Sequence, residues 1–324
     1  MGKAFRKICI VGPGAIGGMM AVMLERAGFD VCALARAPKA GAINARGLTL
    51  LYGGETLTAS LKASDDPMSL GPQDLVIVTL KSNVLAEVAP RIPPLCRPDT
   101  PIVMAMNGLP WWFFDGFGGA LAGSRLKSLD PDGVLARLIP LEQVIWGVVN
   151  CSVSELSDGT LEHTNNNHLA LGRPNDDHAG LDGVAEVFQT AGYTCALSDN
   201  IRQDIWAKLI VNATVNPVSA LAMARIDEIY DEPLVRECVV LAAAEAHAVG
   251  KSLGLDAGPV QVERLKGVRV RTSMLQDLER GRPLELGSIV DVVVEIAELT
   301  GMPAPRLRAL LGLMRLRAKT AGSA

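Results

Sequence analysis

The stretch "KICIVGPGAIG", residues 7–17, constrains the fold more than any other part of the chain. A short apolar run leads directly into Gly12, Pro13, Gly14, Ala15, Ile16 and Gly17, and the helix-like "AIGGMMAVMLERAG" overlaps the end of that loop. In the order strand, glycine loop, helix, each glycine has a physical task. Gly12 permits the tight turn, Gly14 lets backbone approach a pyrophosphate, and Gly17 lets helix and strand pack closely. The start of the helix then faces phosphate with free N–H groups and the positive end of its dipole. The reading is a dinucleotide site; the alternative is a glycine turn with a structural role only.

The rhythm continues. "DVCALAR" (30–36), "DLVIVTLK" (74–81) and "TPIVMAMNG" (100–108) are apolar runs of the length expected for strands covered on both faces. Strands alternating with helical stretches predict a parallel sheet with helical crossovers. "VIWGVVNCSVSE" and "HLALGRP" read as further strands, forming an antiparallel extension. From about residue 201 the pattern becomes helical, over 201–215, 231–253, 287–299 and 305–318, with glycines at the breaks. A length of 324 residues favours two domains. The predicted organisation is an α/β Rossmann-type domain over 1–195 and an all-α substrate domain over 196–324. The first few residues and the final "KTAGSA" read as disordered.

Charge and cysteine usage exclude several function classes. The formal net charge is −4, which argues against nucleic acid or an anionic membrane as partner while leaving room for a local basic pocket. No window approaches the length of an apolar membrane span. The N-terminus has no secretory pattern, and Gly2 lacks the downstream Ser or Thr of a myristoylation site. The six cysteines are scattered without a CxxC, and none of His163, His168, His178 and His247 has a metal-ligand partner by spacing. A cytoplasmic protein without structural metal is expected.

The second strand decides which cofactor is expected. A site for NAD usually ends that strand with Asp or Glu on the ribose hydroxyls. Here it ends in "ALARAPK", where Arg36 suits a 2′-phosphate and Lys39 could support it, so NADP is expected. The alternative is that Arg36 is a solvated loop residue.

The helix-like "IWAKLIVNATVNP" (205–217) carries Lys208, Asn212 and Asn216 at intervals of four, along one face for about two turns. Pro217 suggests that the helix ends near Asn216. A lysine is costly to bury without a partner. Withdrawn from water beside polar groups, such a lysine can become a proton donor. Alternatively, Lys208 reaches solvent and the asparagines cap the helix. Lys81, after "VIVTL", and Asn107, in "AMNG", are further polar residues at strand ends.

Taken together, "GPGAIG", Lys81, Asn107–Gly108, "WAKLIVNATVNP" and "SMLQDLERGRPLE" resemble the ketopantoate reductase family (2-dehydropantoate 2-reductases) over nearly the whole chain. That resemblance implies reduction of a small 2-keto acid, with Lys208 as the general acid and Glu285 beside the reacting end. It implies that Asn212, Asn216 and Ser273 bind substrate oxygens, and that Asn107 links nicotinamide ribose to substrate. Lys81 would stand at the junction of cofactor and substrate. The chemistry agrees, because negative charge builds on the carbonyl oxygen during reduction and an ammonium can stabilise and quench it. Ser273 could instead cap the following helix, and Asp277 reads as a structural acid. Apolar helical surface in the second domain could carry a homodimer contact.

Two stretches depart from the family pattern. After "NG" comes the enlarged, aromatic "LPWWFFDGFGGALAGSRLKSLDPDGVLARLIP" before Glu142, of which "PWWFFDGFGGALAG" (110–123) reads as a loop or cover over the C-terminal ends of the strands. Its Trp111, Trp112, Phe113 and Phe114 could pack a core, or could narrow the substrate site and favour a bulkier keto acid. After Glu285, Gly287 stands where the family has aspartate, and Asp291 follows later.

Overall fold

The computed structural model describes residues 5–258 and 262–323. The expectations for Gly2 and the first few residues therefore lie outside the described residues. Two compact units emerge, one of Met1–Met106, Asp115–Gly118 and Gly133–Ile201, the other of Asn107–Phe114, Gly119–Asp132 and Arg202–Ala324.

The first unit runs β1 (Lys7–Val11), α1 (Ala15–Arg26), β2 (Asp30–Leu34), α2 (Ala37–Arg46), β3 (Leu48–Tyr52), β4 (Glu55–Ala59), β5 (Lys62–Ser64) and β6 (Leu75–Val78). It continues with α3 (Ser82–Val88), β7 (Ile102–Met104), α4 (Val134–Leu138), β8 (Val144–Glu155), β9 (Leu161–Gly172), α5 (Leu181–Thr190) and β10 (Thr194–Leu197). The sheet order is β4-β3-β9-β8-β7-β6-β1-β2-β5, with β10 beside β9. From β5 to β8 all neighbours are parallel. The antiparallel extension is the β8–β9 pair, where Trp146 faces Gly172 and Glu155 faces Leu161. Central strands such as β6, "LVIV", are buried along their full length, which explains their unbroken apolar reading. Met19, Met20, Val22 and Leu24 of α1 join Ile8, Ile10 and Leu161 in the core.

The second unit is helical: α6 (Ile201–Ala222), α7 (Ile226–Asp231), α8 (Pro233–Ser252), α9 (Ser273–Glu279), α10 (Val292–Thr300) and α11 (Pro305–Ala321). A π-turn over Gly287–Asp291 leads into α10. Gly250 of α8 admits the indole of Trp206, because a Cβ there would meet Nε1 at 2.1 Å. That Nε1 donates to the Ala246 carbonyl at 3.2 Å. Glu245, 9% exposed, accepts from the N–H groups of Arg306 and Leu307 at 2.9 and 3.1 Å and so caps α11.

Two sequence expectations need correction. The helix carrying Lys208 does not end near Asn216; it runs through Pro217 to Ala222. Proline removes one helical hydrogen bond at a cost of about 3 kcal/mol. Val215, Ser219 and Ala220 are each 1% exposed or less, so burial around the proline offsets that cost. Nor is "KTAGSA" loose over its described part. The helix reaches Ala321, Gly322 turns with φ +68°, and Ser323 donates to the Ala318 carbonyl at 2.8 Å. The Ser323 carbonyl in turn accepts from Leu284 N–H at 3.2 Å. Among the described residues, no helix is long and apolar enough to cross a membrane.

Candidate active site

In the first unit the glycine loop is built from close approaches. Gly12 has φ +88°, and a Cβ there would lie 2.5 Å from Leu80 Cδ2. A Cβ on Gly17 would lie 2.1 Å from Thr79 Oγ1 and 2.6 Å from the Gly12 carbonyl oxygen. Thr79, just past β6, donates from Oγ1 to that carbonyl at 2.7 Å and ties the loop to the neighbouring strand. Gly14 differs: no heavy atom outside its chain neighbours lies within 4 Å of its Cβ position. Gly14 also caps α1, whose first turn holds no acidic residue. Open space over a helix start, with no carboxylate to repel phosphate, fits a dinucleotide pyrophosphate. Pro13, Ala15 and Ile16 complete the loop.

Arg36 is exposed at the end of β2, where it caps α2. Lys39 pairs with Glu155 at 2.5 Å, so the second cation anticipated for a phosphate is already engaged. Lys81 is half-buried and caps α3. Beneath the loop, Cys9 of β1 lies directly opposite Cys32 of β2. Hydrogen bonding between the two free thiols lowers the pKa of Cys32 and, with burial, raises that of Cys9.

In the second unit Lys208 has the partner that burial requires. Its Nζ donates to Asn107 Oδ1 at 2.8 Å, across 101 residues of sequence. Asn107 follows the strand β7 yet belongs to the second unit, which chain order alone does not suggest. Asn212 is half-buried and Asn216 is 7% exposed on the same face of α6. Ser273 is exposed as the first residue of α9; Thr272 caps that helix, its Oγ1 accepting from Leu275 N–H at 3.2 Å. Glu285 is half-buried one residue before helical structure resumes. Asp277 is buried on α9.

Trp111, Trp112, Phe113 and Phe114 are 7%, 0%, 0% and 0% exposed. Phe113 lies 5.9 Å from the Trp206 ring, and buried Arg202 covers Trp112 while donating to the Phe113 carbonyl at 2.9 Å. These rings are core, which decides between the two readings of the stretch. Sequence reasoning missed Thr79, Ser288 and Glu295. Ser288 accepts from Leu109 N–H at 2.9 Å, directly after the Asn107–Gly108 turn. No local motif marks any of the three, since each acts on a chain segment distant in sequence. No group of three or more His, Cys, Asp or Glu side chains suited to a metal occurs among the described residues.

Comparison with known proteins gives this geometry a family. The model described as ketopantoate reductase PanE/ApbA matches residues 8–113, and its C-terminal counterpart matches residues 200–318. A 2-dehydropantoate 2-reductase of Mesorhizobium japonicum is 38% identical over 316 residues, covering 95% of this chain and 97% of its own. A ketopantoate reductase candidate from Ralstonia solanacearum MolK2 superposes with a TM-score of 0.91 at 40% identity, covering 99% of this chain and all of its own. A D-mandelate dehydrogenase solved with NADH and anilino(oxo)acetate shares the fold, with a TM-score of 0.84 at 19% identity over 98% of this chain and 100% of its own. This chain belongs to the ketopantoate reductase family.

Proposed function

We propose that the chain reduces 2-dehydropantoate to pantoate with NADPH, Lys208 supplying the proton. The observation that carries this reading is the 2.8 Å bond from Lys208 Nζ to Asn107 Oδ1, on the helix face that also bears Asn212 and Asn216. NADPH, when bound, supplies the hydride that reduces the ketone carbon. The protein's own groups do the rest. The Lys208 ammonium stabilises the charge developing on the ketone oxygen and then donates its proton, leaving a secondary alcohol. Asn107 aims that ammonium. Asn212, Asn216 and Ser273 hold the carboxylate and hydroxyl oxygens of the substrate, and Glu285 engages its hydroxyl end. Lys81 and Asn107 orient the junction of ribose and substrate.

The sheet unit serves as the nucleotide domain and the helical unit as the substrate domain; the division expected at 195/196 is modified in that Asn107–Phe114 and Gly119–Asp132 go with the helices. The loop Gly12–Gly17 cradles the pyrophosphate, and Arg36 takes the 2′-phosphate. The enzyme works in the cytoplasm as a homodimer.

The test is NADPH oxidation with ketopantoate, run beside bulkier 2-keto acids and repeated with Lys208→Ala and Arg36→Ala. Turnover on ketopantoate that falls at least about 10²-fold without Lys208 supports the reading. Arg36→Ala raises KM for NADPH while leaving that for NADH unchanged. Turnover on a bulkier acid alone would replace the substrate, and full activity without Lys208 would remove the proton donor.

A further inference from the structure

We infer that the π-turn Gly287–Asp291 positions the proton donor, with Gly287, Ser288 and Glu295 as positioning residues; this rests on the role proposed for Lys208. The contacts run back from the ammonium. Lys208 is held by Asn107, and the backbone after Asn107 is held by Ser288. Gly108 turns with φ +85°, and a Cβ there would lie 2.4 Å from Ser288 Oγ and 2.7 Å from its carbonyl oxygen. Leu109 N–H donates to that same carbonyl at 2.9 Å. Ser288 is 1% exposed, so it has little room to retreat.

The π-turn makes this contact accessible. Val292 N–H reaches back to the Gly287 carbonyl, widening the helix by a residue, a distortion frequent at functional sites. The other side of the turn is pressed by the long segment after Asn107. A Cβ on Gly287 would lie 2.9 Å from the Ser128 carbonyl oxygen. Glu295, on α10, accepts from Lys127 N–H at 2.7 Å and Ser128 N–H at 3.0 Å and pins that peptide. The turn is therefore wedged between the Lys127–Ser128 peptide and the Asn107–Leu109 peptide. A push from the first is delivered to the second, and through Asn107 to the Lys208 ammonium.

The test uses the full chain and compares Gly287→Ala, Glu295→Gln, Glu295→Ala and the Gly287→Ala/Glu295→Ala double variant. A misplacement near 1 Å costs about 10²-fold in rate, so Gly287→Ala should lower kcat by roughly 10- to 100-fold with KM for NADPH nearly unchanged. Glu295→Gln, which keeps one acceptor, should fall between wild type and Glu295→Ala. The double variant should turn over faster than Gly287→Ala alone, because the released peptide can retreat from the new methyl. Simple loss of stability would instead make the two changes add. Wild-type kcat in Gly287→Ala, or an additive double variant, overturns the inference. If Gly287→Ala does not fold, the order wild type, Glu295→Gln, Glu295→Ala carries the test, and loss of that order overturns it. A readout independent of turnover is acetylation of Lys208 by an N-hydroxysuccinimide ester, followed by peptide mass spectrometry. It should be faster in Glu295→Ala than in wild type, and an unchanged rate counts against the inference. If wild type fails to reduce ketopantoate, the proposed function fails, while the acetylation rates still decide the positioning.

Discussion

Gly17→Ala is the sharpest probe of the nucleotide loop. An alanine Cβ at that position would sit 2.1 Å from Thr79 Oγ1, 2.6 Å from the Gly12 carbonyl oxygen and 3.1 Å from Ile10 Cγ2. Thr79 can rotate away only by giving up its 2.7 Å bond to Gly12. The carbonyl can move only if the loop moves. Overpacking of this kind costs about 1–3 kcal/mol, and the lost hydrogen bond adds about 1 kcal/mol. Alanine regains about 1 kcal/mol of helix propensity over glycine, because the position lies inside α1. The net expectation is a loss of about 1–3 kcal/mol in urea unfolding. With the displaced loop as the proposed pyrophosphate cradle, a similar penalty falls on binding, raising the Kd for NADPH roughly 10- to 100-fold in a fluorescence titration. Adding Thr79→Ala removes the 2.1 Å obstacle but leaves the carbonyl at 2.6 Å, so the double variant should recover only part of the loss. Wild-type stability and affinity in Gly17→Ala would refute the reasoning. Lost stability with intact affinity would mean that the helix yields and the loop does not.

Two further predictions concern titratable groups. For Asp74, partial burial alone would raise the carboxyl pKa, but the N–H groups of Lys7 and Arg6 and the Arg97 guanidinium outweigh it and hold the pKa below the usual range. A lowered folded pKa stabilises above the unfolded carboxylate pKa of about 3.9 and is lost as pH falls through the folded value. In urea titrations, the stability advantage of wild type over Asp74→Asn should be full above about pH 5 and close towards pH 2; a gap constant with pH would contradict this. Among the thiols, burial pushes Cys96 up to about 11 and Cys195 up to about 12, while the bond from Cys9 holds Cys32 below the ordinary value. Iodoacetamide at pH 8 should label Cys32 well before Cys96 or Cys195 by peptide mapping, and the reverse order would show that access, not thiolate content, governs reactivity.

What could be read from the chain alone was what repeats locally. The strand–glycine–helix order at residues 7–17 and the four-residue spacing of Lys208, Asn212 and Asn216 encode their geometry within a few turns, and both are present in the fold. The run through Pro217 was not legible, because burial around Val215, Ser219 and Ala220 overrides the local rule against proline. Asn107 sits at the end of a strand-like run, yet its contact is with a lysine 101 residues later. Thr79 was hidden for the same reason: its bond to Gly12 spans 67 residues, and a threonine after a strand carries no signal of its own.

The two departures from the family pattern, read separately in the sequence, have one cause in the structure. The long segment after Asn107 buries Trp111–Phe114 and then returns along the second unit, where its Lys127–Ser128 peptide is gripped by Glu295. That peptide brings the Ser128 carbonyl to 2.9 Å from where any side chain at residue 287 would begin. An aspartate there would bring its Cβ too close to that oxygen for the present packing. Holding both this segment and an aspartate would require the peptide or the turn to shift. Gly287 thus follows from how the segment packs, and it is no sign of a changed reaction. Trp112, Phe113 and Phe114 are fully buried, Trp112 beneath Arg202, Phe113 against Trp206 and Phe114 edge-on to Phe113, so these three offer no apolar wall for a bulkier keto acid. A swap of the aromatic segment should therefore change stability before it changes the ratio of kcat/KM between ketopantoate and larger acids.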